Sequence, residues 1–135
     1  MHVRDTMTPN PVSITAQETL QDAMELMMRK HIRHLPVVDA AGMLIGIVTD
    51  RDLRRASPSP LFGSKVDPQA AMETATVDRV MVRAPQTISP HQPLREAVQL
   101  FVDKKYGGLP VVENGRLVGI ITPIDVMRMW LKNQG

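Results

Sequence analysis

Two threonine–aspartate pairs carry the residue types in this sequence that could bind a phosphorylated, sugar-containing ligand. Asp52 follows Thr49 by three residues, and Asp125 follows Thr122 at the same spacing. If each threonine begins a helix, the free backbone N–H groups and the helix dipole favour an anion, and the hydroxyl can donate to a phosphate. An aspartate on the same face can accept hydrogen bonds from a ribose diol, as acidic residues do in dinucleotide sites.

The same spacing also has a purely structural interpretation. Thr-x-x-Asp is a capping box, in which the hydroxyl accepts from the backbone N–H three residues later and the carboxylate accepts from the threonine N–H. The two interpretations are compatible, because a ligand can recruit a hydroxyl that also caps a helix. Both of them require Thr49 and Thr122 to stand at helix N-termini.

An internal duplication accounts for the recurrence of this pair. Residues 7–40 align with residues 81–114, and residues 42–55 align with residues 115–128 after one extra residue in the first copy. Of the 48 aligned positions 18 are identical, and the identities cluster at proline, glycine and apolar residues, which chance matching does not explain.

Each copy predicts the element order β-α-β-β-α. A short extended stretch follows a proline, which disfavours the α region for its neighbour, and an amphipathic helix with apolar residues at i, i+3, i+4 and i+7 comes next. Two apolar strands then flank a glycine turn, and the last helix begins at the threonine. The extended stretches are Val12–Ile14 and Gln86–Ile88, and the first helix has two competing capping boxes, Thr15 with Glu18 and Thr19 with Asp22.

We therefore predict an α/β (α+β) protein built from two β-α-β-β-α repeats, at residues 3–55 and 77–131. A repeat of about fifty residues buries only ~60% of the surface of its unfolded chain, so its apolar face needs a partner. We expect the two repeats to pack on each other with pseudo-twofold symmetry. Residues 56–76 form a linker, extended at Ser57–Pro60 and with a possible short helix over Pro68–Glu73.

The ordered pattern, present twice, resembles a CBS domain pair, also called a Bateman module. It reads Met-x-x-x-Pro, amphipathic helix, Leu-Pro-Val-Val, glycine turn and Gly-h-h-Thr-x-x-Asp, where h is apolar. The resemblance covers both repeats, and no catalytic domain is appended, so the chain is similar to small stand-alone CBS proteins. It implies that adenosine nucleotides bind in the cleft between the repeats, with aspartate on the ribose, threonine near the phosphate, and the base on the first strand and the Leu-Pro-Val strand.

The resemblance also implies that the two nucleotide sites are unequal. The positions at which nucleotide-binding members of the family contact phosphate hold basic residues in the first repeat alone. The second repeat has a Gly-Gly pair instead, which permits close approach of the backbone to a ligand. The alternative is that the arginines form a solvated helix face. The predicted nucleotide-binding residues are Ile14, Arg33, His34, Pro36, Thr49, Arg51 and Asp52 in the first repeat, and Ile88, Gly108, Pro110, Thr122 and Asp125 in the second.

Composition argues against several other functions. The chain has no cysteine, which removes disulfides, Cys-ligated zinc and thiol catalysis and fits a reducing compartment. His31 and His34 have no further ligand at a suitable spacing, so we expect no metal site. No nucleophile–base constellation is visible, and we predict that the chain is not an enzyme. No apolar run approaches the ~18–20 residues of a membrane span, so we expect no membrane partner and a cytoplasmic location.

These observations favour a regulatory, signal-transducing module that senses an adenosyl ligand and changes conformation to inform a partner protein that the sequence does not identify. The effector would be AMP, ADP, ATP or another adenosyl compound, and no cofactor is required. Trp130 and its apolar neighbours near the C-terminus either complete a homodimer or lie in the core. One alternative is a dimeric interaction scaffold without a ligand. Another is a nucleic-acid-binding module, against which the formal charge of +2 and the 3% aromatic content argue.

Overall fold

The computed structural model describes residues 1–56 and 68–134. The extended linker predicted at Ser57–Pro60 lies outside the described residues. Within the described part, the chain forms seven β-strands and five α-helices. In chain order they are β1 (Thr8–Pro9), β2 (Ile14–Thr15), α1 (Leu20–Lys30), β3 (His34–Val38), β4 (Leu44–Thr49), α2 (Asp50–Ala56), α3 (Pro68–Thr74), β5 (Val82–Arg83), α4 (Leu94–Lys104), β6 (Leu109–Glu113), β7 (Arg116–Ile121) and α5 (Pro123–Gln134).

The elements group into two compact units, which we call the central unit and the C-terminal unit. The central unit consists of Val12–Ala41 and Ile45–Ala84. The C-terminal unit consists of Met1–Pro11, Gly42–Leu44 and Pro85–Gly135. The predicted α/β (α+β) class is confirmed, and the strands form two sheets.

The first residues of each sequence repeat belong to the unit that contains most of the other repeat. Residues 3–11, which open the first repeat, belong to the C-terminal unit, and residues 77–84, which open the second, belong to the central unit. We call these two stretches the lead segments. The boundaries 3–55 and 77–131 divide the sequence by its duplication, and they stay a prediction. α3 lies in the predicted linker, over the residues of the expected short helix.

The central unit has a four-stranded sheet with the order β2-β3-β4-β5. β2 runs parallel to β3, with Ile14 opposite Val37, and β5 runs antiparallel to β4. α1 buries Leu20, Ala23 and Met27, the face that its apolar period predicts. The same core contains buried side chains from β3, β4, α2 and α3.

The start of α1 decides between the two capping boxes. The Asp22 N–H donates to Thr19 Oγ1 at 3.1 Å, and the Thr19 N–H donates to Asp22 Oδ2 at 3.0 Å, so the helix begins at Leu20. The competing pair also forms a bond, from the Thr15 N–H to Glu18 Oε2 at 2.8 Å. This second bond closes the turn that precedes the helix.

The C-terminal unit has a three-stranded sheet with the order β1-β7-β6, in which β7 is antiparallel to both neighbours. The predicted strand at Gln86–Ile88 is reduced to Ile88, which makes an isolated parallel bridge to Val111. Both the N–H and the carbonyl of Ile88 bond to β6. Pro90 has no N–H, whereas its counterpart Ala16 in the first repeat has one, so the ladder cannot extend beyond this end as β2 does.

Two glycines leave the space in which the lead segments pair with the sheets. A Cβ built on Gly46 of β4 would lie 2.8 Å from Met81 Sδ and 3.0 Å from the Val82 carbonyl oxygen. A Cβ built on Gly119 of β7 would meet Met7 Sδ at 2.5 Å in the same arrangement. Real Cβ atoms do not approach other atoms this closely, so both positions need glycine. This contact explains why the methionine of Met-x-x-x-Pro and the glycine recur together in the two copies.

β1 and β5, which these lead segments form, are absent from the predicted order β-α-β-β-α. Each consists of two residues, and two residues are too few to show an alternating pattern. Their pairing depends on a segment distant in sequence, since β1 pairs with β7.

We predict that Gly46→Ala lowers the free energy of unfolding by roughly 1–3 kcal/mol, because the new methyl group overpacks the contact with Met81. Urea unfolding of Gly46→Ala, Met81→Ala and the double variant measures the coupling between the two positions. The double variant should lose less stability than the sum of the single changes, since the vacated methionine volume accepts the methyl group. Additive losses of unfolding free energy would contradict the proposed contact between Met81 and position 46.

Candidate functional site

The first threonine–aspartate pair joins β4 to α2 in the central unit. The Thr49 N–H donates to Asp52 Oδ2 at 2.9 Å, and the Asp52 N–H donates to Thr49 Oγ1 at 3.2 Å. Both residues are half-buried. The capping interpretation is therefore confirmed for this pair, and one oxygen of the Asp52 carboxylate has no hydrogen-bond donor among the described residues.

The second pair has the same box and one additional bond. The Thr122 N–H donates to Asp125 Oδ2 at 2.9 Å, and the Asp125 N–H donates to Thr122 Oγ1 at 3.3 Å. The Thr122 hydroxyl also lies 3.2 Å from Asp125 Oδ2 and donates to it. The other oxygen, Asp125 Oδ1, accepts from the hydroxyl of Thr8 on β1 at 3.2 Å.

The predicted phosphate contacts of the central unit lie beside the first turn of α2. The Asp50 N–H donates to the Arg33 carbonyl at 3.1 Å, which holds the residue before β3 against the helix start. The side chains of Arg33 and Arg51 are exposed, and His34 is half-buried. These residues can present two guanidinium groups and one imidazole to an anion.

His34 is the perturbed titratable group of this site. Burial lowers the pKa of the His34 imidazole below its ordinary value, the carboxylates of Asp50 and Asp52 oppose this shift, and the Arg33 guanidinium adds to it. The imidazole is therefore neutral at pH 7 and offers one N–H donor.

The C-terminal unit lacks these basic neighbours. Pro123 begins α5 and has no N–H, so the tether to the residue before the strand has no counterpart there. Ile124 takes the place of Arg51 and is exposed. Gly108, half-buried, stands at the position of His34. The difference between the repeats that the sequence predicts is thus present in the local geometry.

The residues expected to contact the base are core residues in this structure. Ile14 and Ile88 are 3% and 2% exposed, and Pro36 and Pro110 are below 2%. Ile14 and Ile88 lie next to the strands that carry these prolines, through the bridges to Val37 and Val111. All four side chains pack beneath the surface, and their role as a platform for a base stays a prediction.

Each unit collects its own set of predicted residues. The central unit contains Ile14, Arg33, His34, Pro36, Thr49, Arg51 and Asp52, and the C-terminal unit contains Ile88, Gly108, Pro110, Thr122 and Asp125. Two further residues bond to members of these sets and are absent from the sequence-based prediction. Asp50 tethers the Arg33 carbonyl, and Thr8 bonds to Asp125. Thr8 adjoins the recurring Met7, which is the signal in the sequence that could have indicated it.

Among residues 1–56 and 68–134, no group of three His, Cys, Asp or Glu side chains is arranged to hold a metal ion. The same part of the chain has no helix that is both long enough and apolar enough to span a membrane.

Comparison with known proteins assigns the family. The family model for the CBS domain matches the chain twice, over residues 3–59 and 77–132. The chain belongs to the CBS domain family. A CBS domain-containing protein of Dictyostelium discoideum is 36% identical over 132 residues, which cover 96% of this chain and 91% of that protein. The resemblance inferred from the repeated motif is thereby confirmed.

Two solved structures of CBS domain pairs carry adenosine-containing ligands. The structure of CBSX2, a CBS-pair protein of Arabidopsis thaliana, in complex with AMP matches with a TM-score of 0.84 and 30% identity, over 99% of this chain and 98% of that chain. A CBS domain pair in complex with 5′-methylthioadenosine and S-adenosyl-L-methionine matches with a TM-score of 0.77 and 25% identity, over 98% of both chains. These relatives support the broad prediction of a module that senses adenosyl ligands.

Other curated relatives are longer than this CBS domain pair, which spans 42%, 23% and 24% of three of them. Some of these have enzyme names, such as L-aspartate semialdehyde sulfurtransferase of Methanocaldococcus jannaschii, and those activities are named for the whole proteins. The chain itself consists of CBS domains and is not an enzyme.

We predict that His34 makes the stability of the CBS domain pair depend on pH. Its pKa is lower in the folded chain than the ordinary value of about 6.5. As the pH falls below about 6.5 the unfolded chain therefore takes up a proton that the folded chain resists, and stability decreases. Urea unfolding between pH 7 and pH 5 should show a shallower decline for His34→Gln than for the wild type.

The matched control is His31→Asn, which changes the exposed histidine that ends α1 with a positive φ. Asparagine tolerates this left-handed conformation, so this variant shows what the loss of a histidine outside the Thr49–Asp52 site does to the same stability curves. Parallel stability curves for the wild type and His34→Gln would contradict the assignment to His34.

Proposed function

We propose that this CBS domain pair is a regulatory module that binds adenine nucleotides or another adenosyl ligand at its two Thr-x-x-Asp boxes. The observation that carries the proposal is the presence of both boxes, with intact geometry, in a chain that matches a CBS pair determined with AMP over nearly its whole length. In this proposal the aspartates bind the ribose and the threonines lie near the phosphate. No catalysis and no further cofactor are involved.

The central unit offers the more complete set of phosphate contacts. Arg33 and Arg51 are exposed guanidinium groups, which suit the oxygens of a phosphate chain. His34, the first residue of β3, contributes a neutral imidazole with one N–H donor. A ligand with several phosphates therefore fits the Thr49–Asp52 site better than the Thr122–Asp125 site, where Gly108 and Ile124 replace two of these side chains.

Signalling requires a ligand that binds two arrangements of the protein with unequal affinity. The bond between the Asp50 N–H and the Arg33 carbonyl connects the start of α2 to the segment before β3. A ligand held by Asp52 and Arg33 together would strengthen this connection and favour one arrangement. We propose that a partner protein senses this change, and that the module acts in the cytoplasm, since the absence of cysteine fits a reducing compartment.

We predict that nucleotide binding requires the aspartates. Isothermal titration with AMP, ADP, ATP and S-adenosylmethionine should show binding to the wild type, and Asp52→Asn and Asp125→Asn should each weaken one site by about tenfold or more, because a charged acceptor for the ribose is lost. A bound ligand at 100 times its Kd should also stabilise the fold by ~2.7 kcal/mol in thermal unfolding.

The chain provides a matched control in Asp22. This residue forms the same capping box with Thr19 at the start of α1, and it has no predicted role in ligand binding. Asp22→Asn should destabilise the protein as a lost cap does and leave every nucleotide affinity unchanged. Equal affinities in the wild type and both site variants, or no binding of any of the four compounds, would refute the proposed function.

A second candidate, a dimeric interaction scaffold, is favoured by the surface of α5. Four large apolar side chains of this helix are between 51% and 65% exposed: Ile124, Met127, Trp130 and Leu131. Three of them follow the spacing i, i+3, i+7, which forms one stripe along the helix. Exposed apolar patches of this kind are typical of interaction surfaces, and we propose that this stripe forms a homodimer.

We predict that the wild type sediments as a dimer and that Met127→Glu with Leu131→Glu sediments as a monomer, because the charges cannot be buried in an apolar interface. The control is Val102→Glu, a change at an equally exposed position of α4, which should leave the mass unchanged. A monomeric wild type would contradict the homodimer. A dimer that binds none of the nucleotides would favour the scaffold over the sensor.

A further inference from the structure

The aspartates of the two boxes have unequal hydrogen-bond environments. In each box, Oδ2 of the aspartate accepts from the threonine N–H at 2.9 Å. Oδ1 of Asp125 accepts from the Thr8 hydroxyl at 3.2 Å. Among the described residues, no donor reaches Oδ1 of Asp52. The carboxylates therefore differ in how much of their acceptor capacity is already used.

Strand register shows that this difference arises at one position. Thr8 of β1 lies opposite Ile120 of β7, and Val82 of β5 lies opposite Ile47 of β4. Ile47 and Ile120 are equivalent in the duplication, so Thr8 and Val82 are equivalent as well. Valine has the shape of threonine without the hydroxyl, and the central unit therefore lacks the bond that the C-terminal unit makes.

The difference matters for a ligand with a vicinal diol. An ionised carboxylate has about four acceptor positions on its two oxygens. Asp125 already accepts from the Thr122 N–H, the Thr122 hydroxyl and the Thr8 hydroxyl. This leaves about one acceptor position, so a ribose that donates two hydroxyls to Asp125 must displace one of these donors, and the donor on Oδ1 is Thr8. At Asp52, no donor among the described residues occupies the corresponding oxygen.

We propose that Thr8 is a specificity-determining residue that lowers the affinity of the Asp125 site for ribose diols, so that the first equivalent of an adenosine ligand binds at Asp52. The inference rests on the proposed function, since it concerns the same two sites. It adds a residue outside both Thr-x-x-Asp boxes and a cause of inequality that is independent of the basic phosphate contacts. Thr8 acts through Asp125, as a positioning residue.

The test exchanges the two side chains. Thr8→Val and Val82→Thr introduce at each position the residue that the fold already accommodates at the equivalent one. In isothermal titration with AMP, Thr8→Val should raise the affinity of the Asp125 site by roughly tenfold, the size expected for one hydrogen bond to a charged group. The Asp125 site is identified as the one that is lost in Asp125→Asn. Val82→Thr should lower the affinity of the Asp52 site, which is the one that is lost in Asp52→Asn. Thr8→Ser retains the hydroxyl and should bind AMP as the wild type does.

A second ligand separates the diol from general effects on the fold. The affinity of 2′,3′-dideoxyadenosine monophosphate, which has no diol, should not respond to Thr8→Val or Val82→Thr. An unchanged or weaker Asp125 site for AMP in Thr8→Val would overturn the inference, and so would an equal response with the dideoxy compound.

A measurement without nucleotide tests the bond itself. A double-mutant cycle of Thr8→Val and Asp125→Asn in urea unfolding should give a coupling free energy, and a cycle of Val82→Ala and Asp52→Asn, where the wild type has no hydroxyl, should give none. No coupling at Thr8 and Asp125 would overturn the inference while leaving the proposed function intact. Coupling in a protein that binds none of AMP, ADP, ATP and S-adenosylmethionine would instead refute the proposed function, and the specificity role of Thr8 with it.

Discussion

The contact of a methionine with a glycine in the neighbouring strand is the constraint on which the rest of this structure depends. Met81 lies where a side chain at Gly46 would be, and Met7 lies where a side chain at Gly119 would be. Through these contacts the lead segment of each repeat joins a sheet of the other repeat's strands. β1 and β5 exist only because this space is free, and Thr8 reaches Asp125 only because β1 is paired with β7. The binding properties of a site thus depend on packing outside it.

A capping box by itself does not identify a binding site. Thr19 and Asp22 form the same reciprocal bonds as Thr49 and Asp52, at closely similar distances. What distinguishes the central site is its surroundings: the half-buried His34 begins β3 directly after Arg33, and the Asp50 N–H is bonded to the Arg33 carbonyl. Capping and ligand binding are compatible because the cap uses one carboxylate oxygen and leaves the other available.

Much of the architecture could be predicted because it depends on local patterns. The amphipathic period located α1 and its buried face, and the recurrence of Leu-Pro-Val-Val and Thr-x-x-Asp identified the family. Two predictions failed for physical reasons. The stretch Gln86–Ile88 pairs through Ile88 alone, and the ladder cannot extend beyond it because Pro90 has no N–H to donate. β1 and β5 were not predicted, because a two-residue strand is specified by its distant partner and not by its own residues.

The sequence by itself determined the duplication, the two boxes and the inequality of the basic residues around them, since all of these are visible as residue types at fixed spacing. Only the tertiary structure decided which lead segment accompanies which box, that Ile14 and Pro36 are buried, and that Asp125 has a partner in Thr8. The reason is that these properties come from contacts between residues far apart in the chain. Thr8 and Asp125 are 117 positions apart in the sequence, and no local pattern indicates that the two side chains meet.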